Sequence, residues 1–337
     1  MTDSLSTSRL LASLKAAGES TRLRLLALLA ASEHNVTDLT RILGQSQPRI
    51  SRHLKLLTDA GLVERYREGS WVFFRLAETG GVARLTRGFI DALDAGDPVL
   101  ERDRDRAETI RRERVEAAQA YFRAHAAEWD RIRALHVAED RVEAAMAETL
   151  GEGPFDLLVD LGTGTARILE LLSDRVERGL GIDISADMLA YGRAKLGQAD
   201  FSHCQVRQGD LYRLGLDDDA ADVVVLHQVL HFLSDPAGAL REAARILAPG
   251  GRLLIVDFAP HELEFLREEF AHQRLGFNEA QIGQWIGDAG LDLASFQELK
   301  PGDGLEELTV SLWLARKPGG GDIARPAVQR QLEAAPR

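Results

Sequence analysis

A strand-like run that leads straight into a glycine-rich turn is the feature that most constrains the fold of this chain. Residues 157–161 read Leu-Leu-Val-Asp-Leu, and residues 162–166, Gly-Thr-Gly-Thr-Ala, open the next helical pattern. Short apolar runs and amphipathic stretches alternate from there to about residue 289. Such alternation is typical of a mostly parallel sheet with helices on both faces, so this half of the chain is predicted to be an α/β domain.

The elements of this domain follow from its hydrophobic periodicity. Strands are predicted over residues 157–161, 179–184, 222–226 and 252–258. Helices are predicted over residues 166–174, 186–197, 236–247, 262–275 and 279–289. A long, charge-rich helical stretch, residues 99–150, precedes them, and the Pro-Gly-rich residues 318–337 are expected to form a flexible tail.

Length and composition fit two folded domains. The chain has 337 residues, 45% of them hydrophobic and 28% charged, and a domain usually has about 150 residues. No apolar run reaches the roughly 18 residues of a membrane span. Lys15, Arg22 and Arg24 interrupt the first leucines, unlike a signal peptide. We therefore expect a cytoplasmic protein with no membrane partner.

Charge is divided unevenly along the chain. The formal net charge is −12, but residues 1–95 carry 13 Lys and Arg against 10 Asp and Glu. Residues 96–337 carry 28 against 43. The window 41–75 alone has 7 basic and 3 acidic residues. A small basic module joined to an acidic one indicates that the first part contacts nucleic acid.

The basic part has the pattern of a helix-turn-helix followed by a β-hairpin. One helix is predicted over residues 38–43, with Thr37 as its cap and Gly44 at its end. The next helix starts at a Ser46 cap and ends at Gly61. Three further helices are predicted: one over residues 5–17, one that begins at a cap at Ser20 or Thr21, and one over residues 82–94. Two strands are predicted over residues 62–67 and 71–76.

The second of the two helices can lie in the DNA major groove with polar residues facing outward. Arginine and glutamine pair with guanine and adenine edges, whereas serine and lysine suit phosphates. The DNA-binding candidates are Gln45, Ser46, Gln47, Arg49, Ser51, Arg52, His53 and Lys55 on the helix, with Arg65 and Arg67 on the hairpin. Any one of them could be only a solvated charge, but the joint pattern favours DNA binding.

Three segments carry a resemblance to a known family. Residues 18–26 read Gly-Glu-Ser-Thr-Arg-Leu-Arg-Leu-Leu, residues 46–57 Ser-Gln-Pro-Arg-Ile-Ser-Arg-His-Leu-Lys-Leu-Leu, and residues 60–63 Ala-Gly-Leu-Val. Together they resemble the ArsR-type winged-helix repressors. The resemblance implies a homodimer on double-stranded operator DNA, paired through its first and last helices, here residues 5–17 and 82–94.

The metal-sensing positions of that family depart from its pattern. Residues 36–40, Val-Thr-Asp-Leu-Thr, hold no cysteine, and the last helix, Val82–Asp94, holds no histidine. Thiolate or imidazole ligands are what a metal sensor needs. No metal site is therefore expected.

Further signals follow the first glycine-rich turn in order along the chain. Gly-Ile-Asp183 ends the second strand, where a carboxylate can accept from both ribose hydroxyls. Gly-Asp210 follows, then Asp235-Pro, and finally residues 246–251, Ile-Leu-Ala-Pro-Gly-Gly. Each alone could be a turn or a helix cap, and only their combination and order are informative.

This set resembles the class I S-adenosylmethionine-dependent methyltransferases, especially the branch that contains the ubiquinone/menaquinone C-methyltransferases. The likeness spans about residues 120–315 and implies a Rossmann-like fold. It assigns the methionine part to Asp160, Gly162 and Gly164, the ribose to Asp183, and the adenine to Met188, Asp210 and Leu211. Tyr121, Ile184 and His227 complete the predicted cofactor set, although Tyr121 could equally be interdomain packing.

Methyl transfer from a sulfonium needs a base only if the acceptor must lose a proton. His227, His231 and His261 lie near the expected acceptor position and are the catalytic candidates, each with a structural or capping role as the alternative. The residues after strand 222–226, His-Gln-Val-Leu-His, lack the motif of nucleobase amino methylators, so DNA is not expected to be the acceptor. Arsenic methylation needs several cysteines, and Cys204 is alone.

The predicted organisation is a winged-helix DNA-binding and dimerisation domain over residues 1–97, a helical linker and lid over 98–150, and a methyltransferase domain over 151–317. Two functions remain open. One is a DNA-binding transcriptional regulator that also methylates a small molecule and releases S-adenosylhomocysteine. The other is a catalytically silent sensor of S-adenosylmethionine or S-adenosylhomocysteine that controls transcription.

Overall fold

The computed structural model describes residues 4–68, 71–77, 80–126, 139–197, 201–301 and 308–319. Its chain divides into two units, one of Met1–Ala117 with Glu262–Glu264 and one of Ala118–His261 with Phe265–Arg337. The predicted tail beyond residue 319 lies outside the described residues. Within the described ranges, no helix has both the length and the hydrophobicity needed to cross a bilayer.

The first unit has the predicted helix-turn-helix and wing. Its helices are α1 (Thr7–Ala17), α2 (Ser20–Ala31), α3 (Val36–Leu43), α4 (Gln47–Asp59) and α5 (Gly80–Asp91), and α6 (Pro98–His125) follows. Strands β1 (His34–Asn35), β3 (Trp71–Leu76) and β2 (Val63–Glu68) form an antiparallel sheet in that order. As the periodicity predicts, Ile50, Leu54 and Leu57 of α4 are buried. They anchor α4 in the core of this unit and leave its other face to solvent.

Two predicted helix caps are wrong. Helix α2 is capped by Glu19, whose carboxylate accepts from the Arg22 amide at 3.0 Å, rather than by Ser20 or Thr21. Helix α3 is capped by Asn35, whose side chain accepts from the Asp38 amide at 2.9 Å, rather than by Thr37. Several polar residues lie at the start of each of these helices, and the cap is the residue whose backbone is extended. Gly44 does end α3, at φ 63°.

Helix α6 begins inside the first unit. The first unit runs to Ala117, past the predicted boundary at residue 97. The Asp103 carboxylate takes a bidentate pair from Arg24 of α2, and the Arg114 guanidinium reaches both oxygens of Asp38 in α3. These pairs join the start of α6 to the helix-turn-helix.

The second unit is built on a seven-stranded sheet with the order β6-β5-β4-β7-β8-β10-β9. These strands are β4 (Phe155–Leu161), β5 (Val176–Asp183), β6 (Cys204–Gln208), β7 (Ala221–His227), β8 (Leu247–Phe258), β9 (Asp292–Leu299) and β10 (Val310–Arg316). Strands β4 to β8 pair in parallel, and β10 runs antiparallel to β8 and β9. The predicted α/β class with a mostly parallel sheet is confirmed. Strands β6, β9 and β10 were not predicted.

Helices cover both faces of this sheet. They are α7 (Glu139–Leu150), α8 (Arg167–Leu172), α9 (Ala186–Leu196), α10 (Pro236–Ile246), α11 (Phe265–Glu269) and α12 (Glu279–Asp288). Alternate residues of β4 enter different cores: Val159 packs in one apolar cluster and Leu158 in the other. This period of two fixes which side chains face which helix layer.

The predicted helix over residues 262–275 is wrong, because only α11 forms there. Ala271 has a left-handed backbone with φ 58°, which ends the helical path. The amides of Gln273 and Arg274 then donate to the His231 carbonyl at 2.8 and 3.0 Å. This segment is therefore attached to the end of strand β7.

Candidate functional site

The outer face of helix α4 carries most of the predicted DNA contacts. Its exposed members are Ser46, Gln47, Arg49, Ser51, Arg52 and Lys55. Two predicted outward residues, Gln45 and His53, are instead half-buried. The Gln45 amide donates to the Thr21 hydroxyl at 3.4 Å, and His53 Nδ1 lies 3.5 Å from the Glu19 carboxylate. Both side chains face α2, so they support the helix instead of extending its outer surface.

The basic residues on this surface differ in whether they form salt bridges. Among the described residues, Arg49, Arg52 and Arg65 form no salt bridge, whereas Lys55 pairs with Asp59 at 2.7 Å. Arg65 and Arg67 are both exposed and lie two residues apart on strand β2. Burial lowers the pKa of His53, and the positive charges of Arg22, Arg49 and Arg52 lower it further, against the raising effect of Glu19.

Three acidic residues meet at the carboxyl edge of the parallel sheet in the second unit. Asp160 lies near the end of β4 and is buried, Asp183 ends β5, and Asp210 follows β6. The register pairs Asp160 with Gly181 and Asp183 with Gln208. In open α/β sheets, ligands bind at this edge, where the strand order reverses. Here that point lies between β4 and β7.

The Asp183 carboxylate is fixed by backbone amides. Its Oδ2 accepts from the Gly164 amide at 2.9 Å, and its Oδ1 accepts from the Ser185 amide at 2.8 Å. Burial raises the pKa of Asp183, while the amides of Ser185, Gly164 and Ile184 lower it in part. Each carboxylate oxygen has a second lone pair, so each can still accept from a hydroxyl.

The amides of the glycine-rich turn hydrogen-bond within the protein. The amides of Gly162 and Thr163 both donate to the Ile182 carbonyl, at 2.8 and 3.1 Å, and the Gly164 amide is held by Asp183. These three amides therefore brace the turn inside the protein. Gly162 has φ 76°, and a Cβ there would overlap the Val229 side chain. Glycine is needed at this position to admit both that conformation and that neighbour.

Asp210 sits beside Asp183 because the Gly209 amide donates to the Asp183 carbonyl at 3.0 Å. Its carboxylate accepts from the Tyr212 amide at 3.0 Å, in a local turn. Leu211 and Met188 are buried in the same region, and the Ile184 carbonyl accepts from Gln208 at 2.9 Å. The predicted adenosine residues thus cluster on adjacent strand ends.

The segment after β7 contains a buried histidine–aspartate pair. His231 Nδ1 lies 2.7 Å from Asp257 Oδ1, and neither side chain is more than 3% exposed. Asp257 comes from β8 and was missed by the sequence analysis, as was His272, whose ring centre lies 4.1 Å from that of His231. Their signal was a carboxylate inside an apolar strand and a histidine among aromatic residues.

The other two histidines predicted to be catalytic lie close by. His227 ends β7 and is buried, and the amide of the next residue, Gln228, donates to the Val256 carbonyl at 2.7 Å. His261 is half-buried, and its ring centre lies 6.1 Å from that of Phe258. The structure therefore places all three histidines at the ends of β7 and β8.

Tyr121 belongs to the same unit as the sheet edge. Its ring centre lies 4.4 Å from that of His125 and 6.3 Å from that of Phe270. Burial raises the pKa of Tyr121 to about 12, so its hydroxyl stays protonated at neutral pH. Trp129, which also lies within the predicted lid over residues 98–150, is outside the described residues.

Two family models match separate parts of the chain. The model described as bacterial regulatory protein, arsR family, matches residues 19–65, which hold α2 to β2. The model described as methyltransferase domain matches residues 159–255, which hold the acidic sheet edge. The chain combines an ArsR-family segment with a methyltransferase domain.

Several relatives resemble this methyltransferase-containing chain over part of its length. A Mycolicibacterium smegmatis protein named "Probable S-adenosylmethionine-dependent methyltransferase" is 30% identical over 53% of this chain and 66% of its own. The Caulobacter ubiquinone/menaquinone biosynthesis C-methyltransferase UbiE is 31% identical over 42% of this chain and 59% of its own. The crystal structure of a methyltransferase from Mesorhizobium loti covers 54% of this chain and 98% of that one, at 20% identity and a TM-score of 0.45. The chain thus spans less than two thirds of the length of these curated relatives.

Metal ligands are sparse in both the ArsR-family segment and the methyltransferase domain. Across the described ranges, no group of three or more His, Cys, Asp or Glu side chains is arranged to hold a metal ion. Cys204 is buried, and burial raises the pKa of its thiol to about 11. A protonated, buried thiol is a poor metal ligand.

Proposed function

We propose that this protein is a DNA-binding transcriptional regulator whose methyltransferase domain binds S-adenosylmethionine and methylates a small molecule. The observation that carries the proposal is the Asp183 carboxylate, held at the carboxyl edge of the sheet by the amides of Gly164 and Ser185. A carboxylate fixed in this way is prepared to accept hydrogen bonds from two neighbouring ribose hydroxyls.

The remaining adenosine contacts are proposed from the neighbouring strand end. Asp210 lies beside Asp183, where its carboxylate can accept from the exocyclic amino group of adenine. Leu211 and Met188 supply apolar surface on which the purine can pack. Ile184 and Tyr121 would complete the walls of this part of the site.

The methionine part needs acceptors for an ammonium group and room beside the first strand. Asp160 provides a carboxylate at the end of β4. Gly162, two residues further on, has a φ of 76° and no Cβ, which admits the Val229 side chain beside the turn. We assign Asp160, Gly162 and Gly164 to this part and His227 to the side that faces the methyl acceptor.

The DNA-binding role rests on the exposed face of α4. Gln47, Arg49 and Arg52 point to solvent there, and Arg65 and Arg67 extend the positive surface along the wing. Arginine and glutamine in a helix that fits the major groove can read base edges, and the wing can contact the backbone.

A homodimer is proposed from the first helix. Leu10, Leu11 and Leu14 of α1 are 36%, 49% and 44% exposed. Three large apolar side chains on one short helix form a surface that a second copy would cover. A dimer would also match the two-fold symmetry of an inverted-repeat operator.

Three measurements on the purified full-length protein test this function. Native mass spectrometry shows whether S-adenosylmethionine or S-adenosylhomocysteine co-purifies, and incubation with methyl-labelled S-adenosylmethionine and cell extract shows whether label reaches a small molecule. Selection of genomic fragments on the immobilised protein gives the operator. Cofactor binding without label transfer would favour the silent sensor, and absence of cofactor binding would contradict the proposal.

A further inference from the structure

The buried pair of His231 and Asp257 has the geometry of an oriented general base. The Asp257 carboxylate accepts, so His231 donates from Nδ1 at 2.7 Å and its Nε2 carries the lone pair. Asp257 is also fixed by its own surroundings, because its oxygens accept from the amides of Phe258 at 2.8 Å and His231 at 3.3 Å. The imidazole therefore has a set tautomer and a set direction.

Resting on the function proposed above, we propose that His231 is the base for methyl transfer to an aromatic hydroxyl compound, and that Asp257 is its positioning residue. Asp257 is 0% exposed and His231 is 2% exposed. Burying a histidine and a carboxylate costs free energy that apolar residues of similar size would not cost. Such a pair is expected where an imidazolium must form and be stabilised.

The position of the pair fits a base for this domain. Val229, two residues before His231, packs against Gly162 of the glycine-rich turn. The His231 carbonyl accepts from the amides of Gln273 and Arg274, which fix the segment from the other side. Within the described part of the chain, His231 hydrogen-bonds only through Nδ1, its amide and its carbonyl, so Nε2 is available.

The rings around His231 indicate the chemistry of the acceptor. Phe232, His272 and Phe258 have ring centres 4.1, 4.1 and 5.0 Å from that of His231. Phe122 packs edge-on against Phe232 at 4.9 Å, and both are half-buried. Offset and edge-to-face contacts favour a planar aromatic guest. Of the titratable side chains in the described ranges, Asp257 from β8 and His272 from the segment after α11 contact the His231 ring.

The proposed step transfers the methyl group to a phenolic oxygen. The phenolic O–H bond breaks and its proton moves to His231 Nε2, giving an imidazolium that Asp257 stabilises. The oxygen lone pair forms a bond to the methyl carbon while the carbon–sulfur bond breaks, and that electron pair stays on sulfur. The products are an aryl methyl ether, S-adenosylhomocysteine and the protonated histidine.

The test uses 4-nitrophenol as probe, because its phenolate absorbs visible light and its neutral form does not. Full-length protein saturated with S-adenosylhomocysteine is titrated with the probe at a pH where free 4-nitrophenol is mostly neutral. We expect the bound probe to show the phenolate spectrum. Absence of bound phenolate in the wild-type protein would overturn the proposal.

Two variants and a control separate the base from general packing. His231→Gln should lose the phenolate signal, and Asp257→Asn should weaken phenolate binding by roughly tenfold, the effect of one charge-assisted hydrogen bond. His203→Gln should leave the signal unchanged, since His203 contacts the Ser173 carbonyl at 3.1 Å and lies away from this cluster. An unchanged spectrum in His231→Gln would contradict the assignment.

Calorimetry with S-adenosylhomocysteine is run on every variant. Retained binding shows that the domain is folded and that the proposed cofactor site stands. If wild-type protein binds S-adenosylhomocysteine but not 4-nitrophenolate, only the base proposal fails. If it binds no S-adenosylhomocysteine, the proposed function fails first.

Discussion

Arg24 and Asp103 are 79 positions apart in the chain and form a bidentate ion pair, with N–O distances of 2.6 and 2.7 Å. The Asp103 side chain is 3% exposed. Hydrogen bonding to Asp103 raises the pKa of Arg24, so the guanidinium remains charged. The pair joins α2 of the ArsR-family segment to the start of α6, which belongs to the same unit.

Removing one partner should therefore loosen the first unit. We expect Asp103→Ala to cost about 2 kcal/mol of local stability, since it leaves a partly buried guanidinium without its charged acceptor. Hydrogen exchange in the full-length protein should show faster exchange of the amides in α2 and α6. Arg41→Ala is the control, because its pair with Glu113 is exposed on both sides and should matter little. Equal effects of the two changes would contradict a special role for Asp103.

The same pair shows what sequence patterns can and cannot reveal. Helices α2 to α5 and strands β2 and β3 were predicted because their apolar residues repeat at regular spacing. The attachment of α6 depends on charges far apart in sequence, which periodicity does not connect. Strand β9 is mostly exposed and gives a weak signal, whereas the apolar run of β10 was visible and could have been recognised.

A second prediction concerns DNA. Arg49→Ala with Arg52→Ala should abolish specific binding to an inverted-repeat operator and leave cofactor affinity unchanged, because both residues lie on the outer face of α4. If both contact phosphates, the slope of log K against log salt should fall by about 2. Arg111→Ala with Arg112→Ala removes the same charge from α6 and serves as the control in gel shifts. Wild-type affinity in the first variant would refute the assignment.

A third prediction concerns the adenosine site. Asp183→Ala removes acceptors for two ribose hydroxyls, and a charge-assisted hydrogen bond is worth about 1.5–3 kcal/mol. Affinity for S-adenosylmethionine should fall by about tenfold or more. Asp210→Ala should have a smaller effect, because the Leu211 amide remains beside the adenine position. Calorimetry on both variants measures the difference, and unchanged affinity in Asp183→Ala would remove the main support for this site.

Part of the candidate site could be predicted from local sequence patterns. Asp160, Asp183 and Asp210 each stand at or just after a strand, and parallel strand ends share one edge, so their grouping follows from local patterns. The bracing of Gly162 and Thr163 by the Ile182 carbonyl does not, because it depends on how two strand ends approach each other. Asp257 was missed because an acidic residue within an apolar strand has no motif of its own.

A fourth prediction follows from the raised pKa of Asp183. Its ordinary value is about 3.9, and burial raises it in the unliganded protein. A carboxyl whose folded pKa is raised adds stability below its unfolded pKa, and that stability is lost as the pH rises through the folded pKa. Ionisation of Asp183 therefore lowers the free energy of unfolding of the unliganded protein. Ribose hydroxyls donate more strongly to the ionised carboxylate than to the protonated form, so binding should lower this pKa.

Binding of S-adenosylmethionine should then release a proton in the acidic range, and its affinity should rise with pH until Asp183 is ionised in the free protein. Calorimetry at acidic pH, in two buffers with different heats of ionisation, measures the number of protons released on binding. The Asp210→Ala variant keeps Asp183 and should release the same proton, whereas Asp183→Asn should release none. Proton release that persists in Asp183→Asn would assign the linkage to another group and contradict the role of the Asp183 carboxylate in holding the ribose.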